Sequence, residues 1–189
     1  LTEHGKDYSL FKLGDPNIIQ RYAEIIREEI EKRLGEEIRN SPEEWRIVLH
    51  IVQGGNNASG ILSKKVAELL KIETTIVETP NPNLGISGAK GYASIASRQE
   101  REKVIEGKHK VLNPNEVKEK NIIFIDDSVV SGSNLREMRR IHNAAGIASF
   151  QAFVLFKLQG NDFKIEAEFN TMRIDRSKVV ERLIKLLKD

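Results

Sequence analysis

The sequence predicts an α/β fold built on an open, mostly parallel, doubly wound sheet. Three observations carry that expectation. Short apolar runs rich in branched residues alternate with stretches whose apolar residues recur at helical spacing. The segment from Arg46 to Glu78 reads strand, helix, strand, an order that favours parallel pairing. A further buried strand at Asn121–Ile125 passes through a small-residue loop into another helix, and the alternating order fits a doubly wound sheet best.

The first clear helix starts at Asp15-Pro16. Asp15 can accept hydrogen bonds from first-turn amides, and Pro16 suits a position whose N–H has no partner. Ile18, Ile19, Tyr22, Ile25, Ile26 and Ile30 form the inward stripe, and Gly35 offers a stop. Arg46–Val52 (RIVLHIV) is short, apolar and branched, as a strand buried on both faces requires. Gln53-Gly54-Gly55-Asn56 follows as a tight loop. A helix is expected from Ala58 to Lys71, with Ile61, Leu62, Val66, Leu69 and Leu70 inward, and a short strand from Thr74 to Glu78. Thr79–Glu100 holds Pro80, Pro82, Gly85, Gly88 and Gly91 among Asn and Ser residues. A segment of that length without regular structure is usually functional. A mobile loop is the expectation, with an ordinary surface excursion or a flexible hairpin as the alternative. Asn121–Ile125 (NIIFI) is the next buried strand. The loop Asp126–Asn134 and a helix to Ala145 follow, with Leu135, Met138 and Ile141 inward and Gly146 as the stop. Ala148–Leu158 reads as a strand. A C-terminal helix begins near Ser177, with Val179, Val180, Leu183, Ile184 and Leu187 inward. No internal repeat interrupts this order, and residues 1–189 are expected to form one domain.

Composition removes several classes. Hydrophobic residues make up 39% of the chain, enough for a core, and the formal net charge of +2 makes no case for a nucleic-acid or membrane partner. With no cysteine, disulfides, thiolate metal sites and cysteine nucleophiles are excluded. His4, His50, His109 and His142 show no metal-ligand spacing, so zinc is not expected. His50, inside a buried strand, reads as structural; His109 could be structural or functional. Trp45 is expected to pack at a strand entrance. Arg136, Arg139 and Arg140 are expected to face solvent or a dimer partner. Leu1-Thr2-Glu3-His4 carries no signal-peptide pattern, and a cytoplasmic protein is the expectation.

Chemistry concentrates in Asp126-Asp127-Ser128-Val129-Val130-Ser131-Gly132-Ser133-Asn134. This run stands at the carboxyl end of a buried strand, where open α/β sheets bind ligands. It also opens a helix, whose first amides and dipole favour an anion. Gly132 permits close backbone approach, and Ser128, Ser131, Ser133 and Asn134 add hydrogen-bonding side chains. A phosphate suits that cradle, but the two carboxylates would repel it. They suit vicinal hydroxyls instead, so a sugar phosphate satisfies both halves. An Asp that merely caps a turn is the simpler alternative. Response-regulator receivers also carry an acidic pair after a buried strand. That strand opens a receiver domain, and the Gly-Ser-rich loop here is better explained by phosphate.

The run IIFIDDSVVSGSN resembles the signature of type I phosphoribosyltransferases. The likeness extends in element order from about Ile18 to Phe156, and its specific motif covers Ile122–Leu135. DDSVVSG is most similar to the phosphoribosyl domain of glutamine amidophosphoribosyltransferase, as are RQEREK and KVLNPNEVKEKN. The resemblance implies that fold, with a small variable hood from residues 1–14 and 157–175 and a flexible lid at 79–101. It implies that Asp126 and Asp127 hold the ribose hydroxyls of phosphoribosyl pyrophosphate and stand indirectly behind Mg2+. Ser128, Val129, Val130, Ser131, Gly132, Ser133 and Asn134 would hold the 5-phosphate, and Gln53, Gly54, Gly55 and Asn56 the pyrophosphate. Lys90 and Arg101 are the lid cations assigned to catalysis, with Tyr92 and Arg98 as further lid candidates. A homodimer is expected. The chain lacks the glutaminase cysteine of the amidotransferases. Val130 stands where many purine-salvage members carry an acid, and Gln53 and Asn56 replace a basic residue in the pyrophosphate loop. The implied reaction is displacement of pyrophosphate by a nitrogen nucleophile, a nucleobase or related compound. The alternative is a non-catalytic, ligand-sensing regulator that keeps the sugar-phosphate site.

Overall fold

Branched apolar runs set the strands. In the computed structural model, which describes residues 3–53, 57–79, 106–129, 132–157 and 172–173, six strands form one sheet. They are β1 (Trp45–Val52), β2 (Thr74–Thr79), β3 (Lys110–Val111), β4 (Asn121–Val129), β5 (Ser149–Lys157) and β6 (Met172–Arg173), in the order β3-β2-β1-β4-β5-β6. Every pair is parallel except β3 against β2. The described helices are α1 (Glu3–Lys12), α2 (Pro16–Asn40), α3 (Ala58–Leu70), α4 (Pro114–Val117) and α5 (Ser133–Ala144). The expected open, mostly parallel α/β sheet is therefore present. The helix α1, ahead of the first helix expected at Asp15-Pro16, and the short β3, α4 and β6 were not foreseen.

Side chains alternate across a strand with a period of two. On β4, Ile123 and Ile125 join Phe11, Ile26, Ile30, Ile47, Leu62 and Val66 in a core under α2 and α3. Ile122 and Phe124 join Val48, Val77, Leu135, Met138 and Val154 in a second core under α5. Each fully buried Ile or Leu contributes on the order of 1.5–3 kcal/mol of transfer free energy, so two cores on one strand hold β4 firmly from both sides.

Two expectations about the helices need correction. Asp15 caps α2 as predicted, accepting from the Asn17 and Ile18 amides at 3.0 and 3.1 Å. Gly35 does not stop the helix, which continues to Asn40. An interior glycine costs about 1 kcal/mol; the extra turns bury Ile38, which more than offsets it. In α3, Ile61 points outward and is half exposed, while Ala58, Ser63 and Ala67 are buried beside Leu62 and Val66. The cause is close approach to β1: a Cβ on Gly60 would lie 2.8 Å from the His50 carbonyl oxygen.

The connections divide the sheet. β1 leads through α3 to β2 on one side, and β4 leads through α5 to β5 on the other. β1 and β4 pair only from Trp45↔Asn121 to Ile47↔Ile123. By contrast, β1 stays with β2 to Val52↔Thr79, and β4 with β5 to Val129↔Lys157. The two central strands thus part toward their carboxyl ends, at the point where the strand order reverses. A crevice of that kind is where doubly wound sheets hold ligands.

Candidate functional site

β4 does not end where its apolar run ends. The sequence reading began a loop at Asp126, but ladder pairing to β5 carries the strand through Asp126, Asp127 and Ser128 to Val129. Strand alternation therefore sends the two acids to opposite faces of the sheet. Asp127 emerges beside α1 and α3. Its Oδ2 accepts from the Tyr8 hydroxyl at 3.0 Å and lies 2.6 Å from Lys12 Nζ; its Oδ1 accepts from the Ser59 hydroxyl at 2.6 Å. Asp126 emerges beside α5. Its Oδ1 accepts from the Asp127 amide at 2.9 Å, and its Oδ2 from the Asn134 side-chain amide at 3.2 Å.

The different surroundings separate the two carboxyls electrostatically. Burial works against charge on Asp127, but the Lys12 ammonium and the hydrogen bonds from Lys12, Ser59 and Tyr8 together outweigh it and hold the group below its ordinary value. Burial would likewise lower the Lys12 ammonium, yet Asp127 holds it above its usual range. Asp126 keeps some exposed residue surface, but its carboxyl is enclosed. Burial, then the charge on Asp127, pushes it up to about 8, and the bond from Asn134 only partly opposes this. At neutral pH the pair therefore carries about one negative charge. A carboxylate offers about four acceptor positions. Among the described residues three are filled on Asp127, while Asp126, mostly protonated at neutral pH, accepts two bonds and has a proton of its own to donate.

Past the strand, Gly132 takes a φ of +73°, a left-handed conformation that suits glycine. It is the N-cap of α5, so no side chain of its own caps the first-turn amides. Ser133 and Asn134 belong to the helix rather than to the loop before it. The Arg136 amide donates back to the Gly132 carbonyl at 3.0 Å, which closes the first turn.

A second polar cluster lies beside the crevice. Thr79 Oγ1 sits 2.7 Å from His50 Nε2 and is also hydrogen-bonded to His109 Nδ1. The rings of His50 and His109 meet edge-on at 5.2 Å. Burial pushes His50 down to about 3 and His109 down to about 4, so both rings are neutral at physiological pH. His50, read from the sequence as structural, has its ring packed against Thr79, His109 and Phe124. On α5, Glu137 accepts from the Gly107 amide at 2.9 Å and is chelated by Arg140 at 2.6 and 2.7 Å. Arg139 and Arg140 are exposed, as anticipated, and Trp45 is buried at the start of β1.

The crevice thus brings together Asp126, Asp127, Ser128, Gly132, Ser133 and Asn134. Gln53 follows β1 directly; its amide donates to the Thr79 carbonyl at 2.9 Å and its side chain to Glu78. Gly54, Gly55, Asn56, Lys90, Arg101, Val130 and Ser131 lie outside the described residues, as do the 79–101 lid beyond Thr79, most of the 157–175 hood and the helix expected at Ser177. Sequence reasoning missed Tyr8, Lys12 and Ser59 as partners of Asp127. Tyr8 and Lys12 stand four apart, so one helix face presents both, and Lys12 lies 5.4 Å from the Tyr8 ring centre. That spacing was readable; what it faced was not. Among the described residues no group of three or more His, Cys, Asp or Glu forms a metal cage, and no helix is long and apolar enough to cross a membrane.

No family model matches the chain, and no curated protein matches it by sequence. Solved structures do. Adenine phosphoribosyltransferase from Saccharomyces cerevisiae, complexed with an imino-altritol bisphosphate and adenine, superposes with a TM-score of 0.54 at 13% identity, covering 84% of this chain and 79% of that one. A second adenine phosphoribosyltransferase structure gives 0.50 at 12% identity, over 83% and 78%. Identities this low speak to architecture, and on that ground the chain has the fold of the phosphoribosyltransferases.

Proposed function

We propose that this chain is a phosphoribosyltransferase that binds phosphoribosyl pyrophosphate and joins its ribose to a nitrogen nucleophile, a nucleobase or related compound. One observation carries the reading. Two adjacent acids stand near the carboxyl end of a central strand in a phosphoribosyltransferase fold, at the switch point, ahead of a left-handed glycine that begins the next helix without a side-chain cap of its own. The motif DDSVVSG is the ground for placing it nearest the phosphoribosyl domain of glutamine amidophosphoribosyltransferase. In this reading Asp126 and Asp127 accept hydrogen bonds from the ribose 2- and 3-hydroxyls, and Ser128–Asn134 hold the 5-phosphate. Gln53–Asn56 hold the pyrophosphate, and Lys90 and Arg101 offset its charge as it leaves.

Magnesium fits this donor set. Mg2+ is commonly held by one or two carboxylates plus substrate phosphates, retaining water, rather than by an all-protein cage. Two enclosed acids that, among the described residues, join no group of three possible ligands match that pattern. Asp126 and Asp127 would stand behind the ion through ribose hydroxyls or water, and the ion would offset charge on the leaving pyrophosphate. The remaining work belongs to the chain. Fixed amides at the start of α5 orient the phosphate end, and the acids orient the ribose. Enclosure of the crevice would keep water from competing with the nitrogen nucleophile.

The test is a thermal-shift screen with Mg2+, phosphoribosyl pyrophosphate and a panel of nucleobases, followed by assay of released pyrophosphate. Donor at 100 times its dissociation constant should stabilise the native state by about 2.7 kcal/mol. Asp126→Asn with Asp127→Asn should abolish that response while circular dichroism shows the fold retained. A normal response in the double variant would overturn the site assignment. Donor binding without pyrophosphate release on any acceptor would favour the sensing regulator.

A further inference from the structure

One short helix holds Oδ2 of Asp127. The Tyr8 hydroxyl donates to it at 3.0 Å and Lys12 Nζ lies 2.6 Å away, both from α1. Two donors fill the acceptor positions of one carboxylate oxygen, and the Asp127 side chain is only 5% exposed. The third donor, Ser59, meets Oδ1 from α3 at 2.6 Å. α3 is firmly seated: Ala58 and Leu62 beside Ser59 are buried in the core, and Gly60 is pressed against the His50 carbonyl. α1 is seated less firmly. Among its described side chains, residues 7–12, only Phe11 is buried, its ring 5.6 Å from that of Tyr22. A helix of 10 residues is marginal in water without tertiary contacts. α1 joins α2 through Leu13, which is exposed, and Gly14, left-handed at φ +81° in open space. Positions of that kind, at the end of an element, absorb hinge motion.

We infer that α1 is a displaceable cap on the acid pair: Tyr8 and Lys12 occupy the Asp127 oxygen that a sugar hydroxyl would need, so α1 leaves as the ribose arrives. Occupant and ligand match in chemistry, since a phenol hydroxyl and a ribose hydroxyl each offer one hydrogen to a carboxylate. With no ligand bound, the Lys12 ammonium compensates a charge that would be costly to enclose without a partner. Release of α1 frees Oδ2 while Ser59 keeps Oδ1 in place, so the carboxyl is bared without losing its orientation. Closure lowers the apparent affinity in proportion to the fraction of molecules that are open. The inference rests on the proposed function for the identity of the competing ligand. That Tyr8 and Lys12 hold α1 down on Asp127 does not depend on it.

Tyr8→Phe tests it. The variant removes the hydroxyl and keeps a ring beneath Lys12, so the net charge stays the same. A hydrogen bond to a charged acceptor shifts an equilibrium by about tenfold or more. Without ligand, amide hydrogen exchange of residues 8–12 should therefore quicken by about tenfold in Tyr8→Phe, with α2 unchanged. In wild type, Mg2+ with phosphoribosyl pyrophosphate should quicken exchange of the same residues, whereas a ligand that only stabilises the fold would slow it. Calorimetry should show tighter donor binding in Tyr8→Phe, by up to about tenfold. Unchanged exchange in ligand-free Tyr8→Phe, α1 exchange that holds or slows when the donor binds, or donor affinity that is unchanged or weaker in Tyr8→Phe would overturn the inference. If neither protein binds the donor while ligand-free exchange responds as described, the proposed function fails and the cap on Asp127 stands.

Discussion

Raising the pH from 6.5 to 8 should destabilise this protein, with Asp126 as the cause. In the fold its carboxyl titrates at about 8 because it is enclosed and lies beside the charge on Asp127. In an unfolded chain an aspartate titrates near 3.9. Between those values the folded state holds a proton that the unfolded state has released, so stability falls as pH rises. One whole proton gives a slope of about 1.4 kcal/mol per pH unit. His50, His109 and His142 work in the opposite direction at lower pH. Burial lowers all three in the fold, whereas unfolded they protonate near 6.5, so their stability is lost as pH drops below that value. Asp127, held below its ordinary value, is ionised in both states above about pH 5 and adds no slope. At pH 6.5 each unfolded imidazole is still about half protonated, so raising the pH to 8 returns up to about 1.2 kcal/mol from the three histidines and offsets most of the Asp126 loss. The Asp126 proton is half lost at pH 8, so its own contribution falls by roughly 1.6 kcal/mol and the net fall is roughly 0.5 kcal/mol. For a chain of this size the net fall is about 1–2 °C in Tm. Asp126→Asn keeps similar hydrogen-bonding capacity without the ionisation, so only the histidine gain remains and its Tm should rise by about 2–5 °C over the same range. Thermal denaturation by circular dichroism in buffers of constant ionic strength measures both proteins. A Tm for Asp126→Asn that runs parallel to wild type from pH 6.5 to 8, with no relative gain at the higher pH, would refute the reasoning.

Other outcomes follow from single contacts. Gly60→Ala should destabilise by about 1–3 kcal/mol in denaturant titration, because overpacking against the rigid His50 carbonyl outweighs the usual helix gain. A neutral or stabilising result would mean that α3 is free to move away from β1. Lys12→Met leaves the Asp127 carboxyl, 5% exposed, without its cation. Breaking a buried pair costs several kcal/mol, but Lys12 is 38% exposed, so screening reduces the expected loss to about 1–2 kcal/mol. Asp127 should then protonate at higher pH, shifting acid unfolding upward; an unchanged acid midpoint would argue against the ion pair. Asp15→Ala removes both cap bonds of α2 and should cost about 1 kcal/mol in urea unfolding.

Much of this protein was legible before any coordinates. The strands at Arg46–Val52 and Asn121–Ile125 were visible because a strand covered on both faces is built from an unbroken apolar run, a local signal. The start of α2 was visible because Asp15-Pro16 satisfies helix-end chemistry within three residues. The acid pair and the helix behind it were visible as a motif. Three things were not. The true end of β4 depends on ladder bonds to β5, 28 residues away in register at Asn121↔Ser149, and polar residues carry no mark of them. The opposite facing of Asp126 and Asp127 follows from that extension. The partners of Asp127 are Tyr8 and Lys12 on α1 and Ser59 on α3, so its depressed titration is a sum over two distant segments. Local sequence determines which residues favour a strand, a cap or a turn, because those preferences act over a few bonds. Which of two neighbouring acids keeps its charge is decided by the dielectric and the donors around each, and only the assembled sheet and helices supply them.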